Sequence, residues 1–166
     1  MAGEEQAVLR RLVTRIVLAG VAVFAVIQLV PYGRAHRNPP VRAEPAWDSL
    51  STRVLATRAC FDCHSNETEW PWYASIAPVA WLIQWDVEAG RQALNYSEWD
   101  RRQKAGAESA KTVQKGEMPP WYYTLFQPKA RLTPTEREAL VRGLAATFGR
   151  EHGREGEEEK ERSPRD

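Results

Sequence analysis

Residues 60–64 read Cys60-Phe61-Asp62-Cys63-His64, and the 166-residue chain contains no further cysteine. Two thiols three positions apart can each add to one vinyl group of a haem, forming two thioether bonds. The adjacent histidine is then carried beneath the ring, where it can ligate the iron. The sequence therefore predicts one covalently attached haem, a haem c, bound by Cys60 and Cys63 with His64 as an axial ligand.

Three other interpretations of these residues stay open. A C-x-x-C redox pair is typical of a strand-to-helix context of thioredoxin type, which the surrounding sequence does not show. A structural zinc site takes four protein ligands, and only His36 and His152 remain, both in segments that look flexible. The third interpretation is a chance match or a simple disulfide.

The second axial ligand is sought by elimination. Met118 is the only methionine besides the initiator, and it is followed directly by Pro119 and Pro120, which restrict the backbone. A thioether is a soft, neutral ligand for iron, and a His/Met pair raises the haem potential relative to two nitrogen ligands. Met118 is the predicted ligand. The alternatives are a core-filling methionine, or His36 or His152 docked on the haem.

Aromatic residues follow both motifs. They are Trp70, Trp72, Tyr73, Trp81 and Trp85 after the cysteines, and Trp121, Tyr122, Tyr123 and Phe126 after Met118. Haem is a large, flat, apolar group, so a small domain needs bulky rings to enclose it. Helix packing is the competing explanation for Trp81 and Trp85, whose spacing of four makes one helical stripe.

The charge balance excludes one class of partner. The chain has 23 Lys and Arg against 22 Asp and Glu, a formal net charge of +1, without a basic stripe. A surface that neutralises phosphates needs a clear basic excess. We therefore expect no nucleic-acid binding.

The N-terminal region contains an uncharged run, residues 16–30, preceded by Arg10, Arg11 and Arg15 and ended by Pro31. Its length is marginal for a helix that spans a bilayer, which takes roughly 20 residues. The sequence predicts a membrane anchor over residues 1–31; a cleaved signal sequence and a buried helix are the alternatives. A proline-rich spacer is expected over residues 32–46.

The remaining chain is expected to form one all-α domain over residues 47–149. Asp48 or Ser49 can cap a first helix with Leu50, Val54 and Leu55 on one face. The other predicted starts are Pro78 for a second helix, Ser97 for a third that reaches toward Lys115, and a Thr133–Glu136 capping box for a last helix with Leu140, Leu144 and Phe148 aligned. Residues 150–166 are dominated by charged residues, contain no aliphatic residue and are predicted to be disordered.

With these motifs in hand, the chain resembles a family of small, membrane-anchored haem-binding-domain proteins related to c-type cytochromes. The resemblance rests on LVPYGR at residues 29–34, NPPV at 38–41, ACFDCHSNETEWPWYASIAPVAWLI at 59–83 and KGEMPPWYY at 115–123. It implies a cytochrome c-like fold, attachment at Cys60 and Cys63, His64 as proximal ligand and Met118 as distal ligand.

The predicted function is one-electron transfer, because protein ligands on both sides of the iron leave no position for a substrate. We expect an electron carrier rather than an enzyme, with unidentified redox proteins as partners. The expected location is the bacterial inner membrane, with a single pass and the haem domain in the periplasm or on the outer side. The alternatives are a haem peroxidase or gas or redox sensor with an open sixth position, and a non-redox accessory module that contains haem.

Overall fold

The computed structural model describes residues 2–103 and 105–162, with side chains for residues 4–103 and 105–149. Within these ranges the chain forms α-helices, two short 3₁₀ helices and no strand beyond a single bridge between Ala43 and Glu98. The α-helices are α1 (Ala2–Ile27), α2 (Leu50–Ala59), α3 (Phe61–His64), α4 (Val79–Ala93), α5 (Ser109–Gln114), α6 (Trp121–Phe126) and α7 (Pro134–Arg162). The 3₁₀ helices are Trp72–Ser75 and Pro128–Ala130. The all-α prediction is confirmed.

The chain divides into two compact units. The N-terminal unit comprises residues 1–37 and 70–85, and the motif unit comprises residues 38–69 and 86–166. Within the N-terminal unit, Gln28 at the end of α1 donates to the Ala77 carbonyl (2.9 Å) and accepts from the Ala77 N–H (3.0 Å). The side chain of Gln28 thereby fastens the end of α1 to the segment before α4.

The predicted membrane span is wrong. No helix in the described ranges is both long and apolar enough to cross a membrane. The physical reason is where α1 stops: it ends at Ile27, so any stretch of α1 of roughly 20 residues, the length that a span requires, includes Arg10, Arg11 and Arg15. The prediction of a single-pass inner-membrane protein is therefore corrected.

The core of the motif unit is built from α2, α3, α5 and α7 together with the segment after α4. Its buried members are Ala56, Phe61, Leu94, Tyr96, Val113, Leu140, Leu144 and Phe148. Tyr96 stacks on Phe61 at 5.4 Å and on Phe148 at 6.3 Å between ring centroids. Because Phe61 belongs to the C-x-x-C-H sequence, the motif is itself part of this core.

Two of the predicted helix starts are confirmed by hydrogen bonds. The Ser49 hydroxyl accepts from the Thr52 N–H (3.2 Å) and caps α2. At α7, the Thr133 hydroxyl accepts from the Glu136 N–H (3.2 Å) while the Glu136 carboxylate accepts from the Thr133 N–H (2.8 Å). This reciprocal pair is a capping box.

Two helix predictions fail. Ser97 starts no helix: its hydroxyl accepts from the Asn66 N–H (2.9 Å) in a buried turn, and α5 begins only at Ser109. The face predicted for α2 is wrong at two of its three residues: Leu50 and Val54 are exposed, and only Leu55 packs against the core. The buried residues of α2 are Thr52, Ala56 and Ala59. Small residues face inward there because α7 packs closely on α2.

The charged C-terminal segment, residues 150–166, lies outside the residues with described side chains, and residues 163–166 lie outside the described chain altogether. The backbone of α7 extends to Arg162. Glu, Lys and Arg favour helices even where no apolar surface is buried. The disorder predicted for this segment stays a prediction, as do the boundaries of the spacer at residues 32–46 and of the domain at residues 47–149.

Candidate functional site

The C-x-x-C-H sequence forms one short helical turn at the junction of two helices. Cys60 ends α2 with its N–H donating to the Ala56 carbonyl (2.8 Å), and its own carbonyl accepts from the N–H groups of Cys63 (3.2 Å) and His64 (2.9 Å). Side chains three positions apart on a helix lie on the same side. Both cysteines are free and half-buried, so the turn offers two reduced thiols together.

Helix α4 packs backbone to backbone against this turn. Gly90 is buried, and a Cβ at this position would overlap the carbonyl oxygen of Cys63. Only glycine lets two backbones approach so closely. The approach brings the carbonyls of Gly90 and Leu94 beside the histidine of the motif.

The ring of His64 is held by these two carbonyls. Its Nδ1 lies 3.0 Å from the Gly90 oxygen and 3.0 Å from the Leu94 oxygen. Because a carbonyl oxygen can only accept, Nδ1 carries the proton, and in the neutral ring Nε2 keeps its lone pair. Burial lowers the pKa of His64, although the two carbonyl bonds act in the opposite direction. A neutral imidazole of this tautomer is suited to bind a metal through Nε2.

The two thiols are protonated at neutral pH. Burial raises the pKa of Cys60 to about 12. Burial also raises the pKa of Cys63 to about 12, with a further contribution from the carboxylates of Asp86 and Asp62. Since the thiolate is the reactive form in disulfide exchange and in metal binding, these environments disfavour both reactions.

Met118 lies on the segment between α5 and α6. Gly116, at a φ of +75°, turns the chain after α5, and Pro119 and Pro120 lead into α6. The Met118 side chain is half-buried and packs against the same core that Cys60 contacts. The structure therefore places both sequence-predicted parts of the site, the cysteine motif and Met118, on one hydrophobic core.

Two hydrogen bonds near the motif were not anticipated from the sequence. The hydroxyl of Tyr123 donates to Asp62 Oδ2 at 2.6 Å, and the hydroxyl of Tyr122 donates to Asp86 Oδ1 at 3.2 Å. The only signal in the sequence is that Asp62 lies between the two cysteines, while its partner is 61 positions away. Gly90 was missed as well, because its role depends on a backbone approach.

His36 and His152 are the alternatives to Met118 as the second axial ligand. His36 belongs to the N-terminal unit, where its ring stacks on Trp70 at 4.8 Å and its Nε2 lies 3.1 Å from the Ala74 carbonyl oxygen. His36 is thus engaged by its own unit. The side chain of His152 lies outside the described residues.

The aromatic residues singled out in the sequence fall in both units. Trp72 and Trp85 of the N-terminal unit are exposed, as are Trp121 and Phe126 on α6 of the motif unit, at 74% and 69%. Helix packing therefore does not account for Trp85. Among the residues with described side chains, no group of three or more His, Cys, Asp or Glu is arranged to hold a metal ion.

Comparison with known proteins identifies a family. A family model described as a haem-binding domain matches residues 22–146, which is 125 of the 166 residues. Neither the curated proteins nor the solved structures yield a match. The matched range contains the cysteine motif, Gly90 and the Met118 segment.

Proposed function

This chain belongs to the haem-binding domain family, and we propose that it binds its haem covalently through Cys60 and Cys63 and transfers single electrons. His64 and Met118 are the axial ligands in this proposal. The observation that carries it is the state of His64: a neutral, half-buried ring with its Nδ1 proton committed to the carbonyls of Gly90 and Leu94. That commitment leaves Nε2 as the nitrogen for iron.

The thiols have the chemistry that covalent attachment requires. Each thiol would add its sulfur to one carbon of a vinyl group and its hydrogen to the other, forming one thioether and needing no oxidant. Cys60 and Cys63 are both reduced, protonated and on one helical turn. The donor set therefore fits a haem c.

Hydrogen bonds hold both the ring and the backbone of His64. Two carbonyls fix the ring plane through Nδ1, and the Tyr96 N–H donates to the His64 carbonyl (2.8 Å), which fixes the backbone. The hydrogen bonds that Nδ1 donates to the two carbonyls also make Nε2 a more basic ligand. When bound, haem supplies an iron that cycles between the ferrous and ferric states.

Met118 supports the assignment as a carrier. Its thioether is a soft ligand on a segment constrained by two prolines, and it shares a core with Cys60. Protein groups on both sides of the iron would leave no position for a substrate. The exposed rings of Trp121 and Phe126, on the helix that follows, provide apolar surface that a haem edge can cover.

The experiment compares full-length protein with the Cys60→Ser/Cys63→Ser variant, both produced in a host that attaches haem c. We expect haem stain on a denaturing gel for the natural sequence and complete loss of stain for the double variant. Met118→Ala is the matched control, since it removes a ligand without removing an attachment point and should keep its stain. Stain that persists in the double variant would exclude covalent attachment at these cysteines.

A further inference from the structure

Tyr123 connects the segment after Met118 to the cysteine motif. Its hydroxyl donates to Asp62 at 2.6 Å, and the side chain of Asp62 is buried with only 8% of the residue exposed. The other oxygen of Asp62 accepts from the Glu69 N–H at 3.0 Å, so the carboxylate is held from two sides. A short hydrogen bond from a hydroxyl to a buried carboxylate is among the stronger bonds in proteins.

Tyr122 makes a second connection of the same kind. Its hydroxyl lies 3.2 Å from Oδ1 of Asp86 on α4, the helix that also carries Gly90. The carbonyl of Gly90 is one of the two that hold the His64 ring. Two adjacent tyrosines thus reach two different elements, α4 and the cysteine motif.

Lys129 adds a third contact between the same segments. Its ammonium group lies 3.5 Å from Asp62 Oδ2 and also pairs with Glu69. Lys129 follows α6 in the 3₁₀ helix Pro128–Ala130, so one residue within α6 and one shortly after it converge on Asp62. This convergence distinguishes the contact from an isolated surface pair.

The two tyrosines lie close to Met118 along the chain, so their contacts also restrain the methionine. Only Pro119, Pro120 and Trp121 separate Met118 from Tyr122, and the prolines limit how far the backbone between them can bend. Movement of α6 is therefore transmitted to Met118. The contacts of Tyr122 and Tyr123 restrain α6, and through it they restrain the methionine.

The geometry points to Tyr122 and Tyr123 as positioning residues that hold the Met118 segment against the cysteine motif and α4. This inference rests on the proposed axial role of Met118. Without the Tyr123 hydroxyl, the segment would open more often while the attachment points stay unchanged. Losing a hydrogen bond to a buried carboxylate is expected to raise the open population by about tenfold or more.

The experiment measures the rate at which carbon monoxide binds to the reduced, haem-loaded, full-length protein. Carbon monoxide must replace the Met118 thioether, so its rate reports how often the segment opens. We expect Tyr123→Phe to bind about tenfold faster or more, and Tyr122→Phe to show a smaller increase because its bond is longer. Thr124→Val is the matched control: its hydroxyl donates only within α6, to the Trp121 carbonyl at 2.8 Å, and its rate should match the natural protein.

Hydrogen–deuterium exchange of the peptide covering residues 116–126 provides a second measurement on the same samples. It should rise in Tyr123→Phe relative to Thr124→Val. Equal carbon monoxide rates and equal exchange in these two variants would overturn the positioning role and leave the proposed haem function intact. A natural protein that binds carbon monoxide as fast as Met118→Ala and lacks a sulfur-to-iron absorption band would overturn both the Met118 ligation and this inference.

Discussion

Gly143 of α7 lies directly over Thr52 of α2, so close that a Cβ at position 143 would overlap the threonine hydroxyl, methyl and Cβ. Thr52 is buried, and its hydroxyl lies 2.9 Å from that of the helix cap Ser49. The two helices that carry most of the motif unit's core therefore meet at a glycine. Because Cys60 directly follows α2, this contact also supports the cysteine motif.

Gly143→Ala should consequently destabilise the protein. Alanine favours a helix over glycine by about 1 kcal/mol, but the overlap with Thr52 has to be relieved by separating α2 from α7. We expect a net loss of about 1–3 kcal/mol in the free energy of unfolding, measured by urea titration. Gly149→Ala is the control, because a Cβ at position 149 meets no atom within 4 Å. This substitution should leave the free energy of unfolding unchanged or slightly higher. Equal effects of the two substitutions would contradict the close helix contact.

Helices α2 and α7 show which parts of the fold can be predicted from the sequence and which cannot. The start of α7 was predictable because a capping box is local: Thr133 and Glu136 contain all the required atoms. The buried positions Leu140, Leu144 and Phe148 followed from a helical spacing of four. The inward face of α2 was not predictable, because it depends on the close approach of Gly143 to Thr52, and Leu50 and Val54 are left exposed.

The candidate site also has a part that the sequence predicts and a part that it does not. The cysteine motif and Met118 could be proposed from the sequence, because residue type and spacing indicate their chemistry. The carbonyls of Gly90 and Leu94 that hold His64 could not be found, since backbone groups look alike at every position. The membrane span was wrong because hydropathy does not fix where a helix stops, and α1 stops at Ile27.

The ion pair between Glu44 and Arg53 should make stability depend on pH. Arg53 donates to both carboxylate oxygens of Glu44 at 2.6 and 2.7 Å, and Trp47 donates to Oε2 at 2.9 Å. The hydrogen bonds from Arg53 hold the pKa of Glu44 below its ordinary value, although burial acts in the opposite direction. A depressed carboxyl pKa stabilises the folded state above the unfolded pKa, and this contribution is lost as the pH falls through the folded value.

Glu44→Gln should therefore lower the free energy of unfolding by about 0.5–1 kcal/mol at pH 7, with the difference shrinking as the pH falls below about 4. Urea titrations at several pH values measure it. Glu138→Gln is the control, because Glu138 lies 3.9 Å from Arg142 with both side chains more than 70% exposed, and we expect no effect at any pH. If the stability lost in Glu44→Gln stayed the same down to strongly acidic pH, the loss would come from altered packing of the side chain and not from its charge.

The Met118 assignment predicts a specific pair of spectra. Met118→Ala should keep its covalent haem, lose the sulfur-to-iron absorption band of the oxidised protein and bind carbon monoxide when reduced, because one coordination position is left open. Met118→His should keep six ligands but lower the reduction potential, on the order of 0.1 V within the roughly 0.8 V range that axial ligands span. The reason is that nitrogen stabilises ferric iron better than a thioether does. If Met118→Ala retained the natural spectrum and did not bind carbon monoxide, another side chain would be the distal ligand, and His36 and His152 would be the residues to substitute next.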